Sequence, residues 1–143
     1  MYVRLKPLKR DRAFRTPAEI DEMVEQFEEC RLPYEQWTHR AHLAVAVAYL
    51  SRMPLADAID HARDAIQRYN IRCGDPAGYH ETLTLLFLRW VDRRLREGGT
   101  AVEVVDEMAR TSDMQRVLEH YSPRRLWSAE ARAGWVEPDL LPL

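Results

Sequence analysis

The chain reads as a succession of amphipathic segments with helical period. Thr16-Pro17 with Glu19 three residues on is a capping box with proline at the first helical position. From there Ile20, Val24, Phe27 and Arg31 fall on one stripe, with Cys30 beside it, and Leu32-Pro33 ends the segment. Thr38 caps a second segment to about Arg52, and Pro54 opens a third to about Arg72. The run 73–78, with Gly74, Pro76 and Gly78, is the clearest break in the chain. A fourth segment runs from Tyr79 to Glu97 and stops at Gly98-Gly99. Thr100 with Glu103 opens a fifth to Arg110, Asp113 a sixth to Tyr121, and Ser122-Pro123 a last one to about Ala133. No segment sustains an alternation of β-branched residues, so no sheet is expected. The pattern predicts an all-α fold: a compact single-domain antiparallel bundle of about five to seven helices, since short connections favour antiparallel neighbours. The tail 135–143 carries two prolines and several apolar residues and should lie extended across the body.

Length and charge refine this picture without changing it. A chain of 143 residues can bury one core. Six cations against one acid, Asp11, make residues 1–16 a basic arm, expected to be a flexible leader, with residues 17–143 as the helical domain. The net charge of -2 predicts no strong nucleic-acid signal. The N-terminus has no apolar leader and no run is long enough to span a bilayer, so a cytoplasmic chain without membrane contact is expected. Cys30 and Cys73 lack paired spacing, which points neither to a disulfide framework nor to a zinc ribbon.

Helical phase then sorts the five histidines. On the second segment Arg40, Ala44, Ser51 and Arg52 define a solvent side, and His39, His42, Leu43, Ala46, Tyr49 and Leu50 lie opposite. On the fourth, Arg89, Asp92, Arg93 and Arg96 mark water, and His80, Leu83, Thr84, Phe87 and Val91 lie opposite. His39, His42 and His80 therefore point inward. His61 shares its stripe with Asp57, Asp64 and Arg68 and reads as surface, and His120 favours a helix C-terminus.

An imidazole has two nitrogens that want partners, and a buried unpaired one costs about 1–3 kcal/mol. Three solutions suggest themselves. In the leading one, His39, His42 and His80 hold a divalent metal, zinc or iron. Glu81, or failing that Glu35, adds a carboxylate, with Glu81 as fourth ligand or catalytic general base. Trp37, Tyr79 and Thr84 then wall or orient a substrate, giving a small metal-dependent enzyme, hydrolase or lyase in type, acting on a soluble small molecule. In the second, the histidines form a structural polar cluster inside a non-catalytic module that binds a small-molecule ligand or a protein partner, with a homodimer as one arrangement. In the third, the same residues line a metal-free pocket that does acid–base work or simply binds a ligand. No HExxH, Glu-x-x-His, phosphate loop or serine elbow occurs. Arg124, Arg125 and Arg132 beside Trp127 read either as an anion site or as a solvated helix face.

The strings Trp37-Thr38-His39-Arg40-Ala41-His42-Leu43 and Gly78-Tyr79-His80-Glu81-Thr82-Leu83-Thr84 resemble those of a family of small, all-helical bacterial proteins of unknown function. The ending Trp135-Val136-Glu137-Pro138-Asp139-Leu140 is similar too. The resemblance is scattered through most of the chain and implies no established activity. It marks the same two strings that helical phase singles out.

Overall fold

The computed structural model describes residues 8–143, and among these it is all helical, with eight α-helices and no strand. In chain order they are α1 (Pro17–Glu28), α2 (His39–Leu50), α3 (Leu55–Arg72), α4 (Glu81–Leu95), α5 (Ala101–Thr111), α6 (Met114–His120), α7 (Pro123–Leu126) and α8 (Ala129–Ala133), with a 3-10 turn at Tyr34–Gln36. The count exceeds the five to seven expected because the last segment is cut in two. Ser122 caps α7, and Ser128 caps α8 by accepting the Ala131 N–H. No helix among the described residues is long and apolar enough to cross a membrane.

The caps follow the sequence closely, with one exception. Thr100 and Glu103 form a complete capping box. At α1, Thr16 accepts from the Glu19 N–H, but the Glu19 carboxylate reaches back one residue further, to the Arg15 N–H at 2.8 Å. At its other end α1 closes in a Schellman turn. The Cys30 N–H bonds to the Phe27 carbonyl, the Arg31 N–H to the Gln26 carbonyl, and Cys30 takes the left-handed position, with φ of 57°. The helix thus stops three residues before the Arg31 that sequence suggested.

The core is built around α2. Its sequence, with Ala41 and then Leu43 to Tyr49 all buried, is apolar on every side. It packs against α1, α3, α4 and α5 together. This corrects the expectation of a solvent side through Ala44, which is fully buried. The alternating alanines and valines of 44–48 are small enough to let helices approach from all directions, so the polar residues at the two ends of α2 misrepresent its middle.

The described part of the basic arm makes contacts with the body. Lys9 bonds through Nζ to the carbonyls of Tyr34 (3.0 Å) and Trp37 (2.8 Å), the Arg10 N–H reaches the Glu35 carbonyl, and Phe14 is buried. Residues 1–7 of the arm lie outside the described residues. The tail lies across the body without helix, as expected. Thr82 donates to the Gly134 carbonyl (2.8 Å), Tyr121 to the Val136 carbonyl (2.8 Å), and Asp139 accepts from the N–H and hydroxyl of Ser122.

Candidate functional site: a histidine-lined apolar cavity

Of the three histidines expected to point inward, only His80 is buried: His42 is part-buried, and His39 is exposed at the very start of α2. Each is held by a backbone carbonyl, and that fixes its proton. A carbonyl can only accept, so the ring nitrogen facing it carries the hydrogen. His42, one turn into α2, donates from Nδ1 to the Thr38 carbonyl at 2.7 Å. Its ring also stacks on Trp37, with centroids 3.6 Å apart. His39, the first residue of α2, donates from Nε2 to the carbonyl of Ser112 at 2.7 Å. His80 is the N-cap of α4. Its Nδ1 accepts the Leu83 N–H at 3.1 Å, and its Nε2 donates to the Leu126 carbonyl at 2.6 Å. Both His80 nitrogens are therefore spent, one closing a helix end and the other tying α4 to α7.

All three rings border one cavity of about 480 Å³. Its wall is mostly apolar: Val45 and Ala46 of α2, Ala62 and Ile66 of α3, Leu83, Phe87 and Leu88 of α4, and Met114 of α6. This explains a detail of α4. Leu83, Thr84 and Phe87, on the face expected to point inward, are part-buried because they face this space. The polar part of the wall comes from the histidines, Asn70, Tyr79, Thr84 and Asp113.

Burial pushes the His42 imidazole down to about 4. The bond to Thr38 opposes the shift, and His39 and Lys9 add to it. Burial also lowers His80, against the bond to Leu126. Glu81 moves the other way from a buried acid. The Arg63 guanidinium, bonded to both its oxygens (Nε–Oε1 3.0 Å, Nη2–Oε2 2.6 Å), holds the carboxyl below its usual range. The Tyr79 hydroxyl donates to the same carboxylate. Burial and that bond raise the phenol, so it stays protonated.

These contacts redistribute the roles suggested by sequence. Glu81 does not border the cavity; it is the ionised partner of Arg63 and steadies Tyr79, which does. Trp37 is core, stacked between Phe27 (centroids 4.4 Å apart) and His42, and shapes the site only through His42. Thr84 borders the cavity, but its hydroxyl is turned to the His80 carbonyl at 2.9 Å. Among the described residues no group of three or more His, Cys, Asp or Glu is placed to hold a metal ion. The three-histidine zinc or iron centre thus finds no support in the geometry, for the physical reason that His80 has no lone pair left to give. The chain matches no family model, no curated protein and no solved structure. The site therefore has to be read from its own chemistry.

Sequence reasoning missed Asn70, Ala62 and Asp113. Asn70 is 7% exposed, on the buried face of α3, and only its incongruity among Ala58, Ala62, Ala65 and Tyr69 could have marked it. Asp113 read as a helix cap, which it is, accepting the Arg116 N–H at 3.0 Å.

Proposed function

We propose that this chain binds a small, largely apolar molecule in the cavity between α2, α3, α4 and the start of α6. The observation that carries the reading is the cavity itself. Its volume of about 480 Å³ falls in the range of roughly 300–1,000 Å³ usual for ligand sites, and its few polar groups are set into an aliphatic and aromatic wall. Small side chains make the room: Ala46 and Ala62 stand where a bulkier residue would fill it. Binding is favoured over catalysis by the state of His42. A base titrating near 4 sits roughly three pH units below neutral conditions, far from the match that general-base catalysis wants. Glu81, clamped by Arg63, is no better placed to move a proton.

The test is occupancy. Untagged protein, examined by native mass spectrometry and by displacement of an environment-sensitive hydrophobic dye, should bind one dye per chain. The cavity-filling Ala62→Phe variant should stay folded and lose that binding. Dye binding that is the same in wild type and Ala62→Phe would place the apolar surface elsewhere and end the proposal. Elemental analysis of the same preparation separates it from the metal reading: stoichiometric metal that disappears in His39→Ala would favour the latter.

A further inference from the structure

Building on that reading of the cavity, we infer that its occupant is a neutral molecule that donates a hydrogen bond from its polar end: an alcohol, phenol or amide N–H on an apolar body. His42 supplies the first constraint. Its Nδ1 hydrogen is committed to Thr38, which leaves Nε2 as a bare lone pair. No described residue hydrogen-bonds that nitrogen, yet no buried side-chain nitrogen or oxygen among the described residues lacks a partner. Nε2 must therefore open onto the space that the ring borders, the cavity. The ring cannot turn to hide it, because Trp37 stacks on one face and Thr38 anchors the far edge.

Asn70 repeats the pattern from another helix. It is more than nine-tenths buried, borders the cavity, and its amide meets no described hydrogen-bonding group. Its carbonyl oxygen lies against Gly74, outside the cavity wall, which leaves the amide nitrogen as the group it can offer to the cavity. His39, with its Nε2 hydrogen committed to Ser112, leaves Nδ1 as a second bare lone pair, so the wall presents acceptors at two histidines and an amide donor at Asn70.

Charge narrows the class. Among the described residues no lysine or arginine borders the cavity, and the one acid that does is Asp113. A carboxylate or phosphate ligand would meet the His42 lone pair and the Asp113 carboxylate with no cation to offset either, at the cost of its own desolvation. A plain hydrocarbon would leave Nε2 and the Asn70 amide stripped of water and unpaired. A neutral donor satisfies the lone pair and keeps its apolar body against Val45, Ile66 and Phe87.

A matched set of aromatic probes tests this by calorimetry at neutral pH: naphthol, its methyl ether, naphthalene and naphthoate. Naphthol should bind about tenfold tighter than naphthalene or the methyl ether, the worth of one hydrogen bond, and naphthoate should bind weakest. His42→Phe should bring naphthol down to the level of naphthalene, and Asn70→Leu should narrow the gap in the same direction. The methyl ether removes the donor from the ligand side, so the comparison stands even if a histidine variant fails to fold. Equal affinity for naphthol and its ether, with Ala62→Phe blocking both, would overturn donor recognition and leave the apolar site intact. Naphthoate as the tightest probe would overturn the charge argument. Failure of every probe to bind would sink the cavity reading along with this one.

Discussion

Three side chains near the cavity respond to acid in two windows, His42 and His80 in the first and Glu81 in the second, and the signs follow from the direction of each shift. His42 takes up its proton near 6.5 when unfolded but only at about 4 when folded. Between those values the unfolded chain binds more protons, so stability falls as pH drops through that interval, by up to about 3 kcal/mol in all. Glu81 is shifted the opposite way for its type. Its pairing with Arg63 contributes fully above the ordinary carboxylate range and is lost as pH falls through the lowered folded value. Urea unfolding across pH should therefore show a first loss of stability that His42→Phe reduces, leaving the His80 share, and a later, more acidic loss that Glu81→Gln removes. A wild-type profile that is level down to about pH 4.5 would contradict the state assigned to His42. His80 gives a second residue-scale prediction. His80→Ala removes a helix cap worth about 1 kcal/mol and strands the Leu126 carbonyl, for a total near 2–3 kcal/mol. His80→Asn restores the cap alone and should recover about half in the urea midpoint. Helical phase pointed to three histidines that border one cavity, but not to the exposure of His39 at the start of α2. It could not show what holds them, because His39 and His80 are fixed by carbonyls 73 and 46 residues away in the chain, and no local pattern encodes a backbone group from another segment.

At the scale of elements, sequence was most informative where structure is local. The proline and threonine starts, the Thr100 box and the glycine stop after α4 all stand where the chain chemistry puts them. It was least informative where tertiary surroundings decide. The phase of α2 was read from the charged residues at its ends, but four helices close around its centre. The end of α1 was misjudged for a related reason: the left-handed position falls on Cys30, a residue that does not announce such a turn. This creates an opportunity for stabilisation. A non-glycine residue at φ of 57° carries a strain that glycine lacks. Cys30→Gly should raise stability by about 1 kcal/mol. The cost in contacts is small, because the Cys73 thiol bonds to the Cys30 backbone carbonyl at 3.1 Å, a group that the substitution keeps. The check is a urea titration at constant slope. A midpoint that falls in Cys30→Gly would mean that the packing of the part-buried Cys30 side chain outweighs the relief of strain.

For the molecule as a whole, the cavity is a structural cost that only an occupant repays. Protein interiors are packed to the density of organic crystals, and wall atoms without neighbours forfeit their dispersion contacts. Here the forfeit falls on α2, α3 and α4, whose mutual packing makes up much of the core. The wall could have been closed by ordinary means, since Ala46 and Ala62 leave space that leucine or phenylalanine would take. Filling and binding thus pull in opposite directions, and together they discriminate. A ligand that binds only the folded chain, present at a hundredfold its dissociation constant, adds about 2.7 kcal/mol. For a chain of this length that is a rise in Tm of roughly 8 °C. Naphthol, the probe with the donor, should approach that figure in a thermal scan at saturating concentration. Ala62→Phe should start from a Tm at or above the wild type and gain nothing from naphthol. Were the variant less stable than wild type and still shifted by naphthol, the space beside Ala62 would not be where the ligand sits. The open wall, the fully bonded His80 and the bare His42 lone pair would then not belong to one binding site.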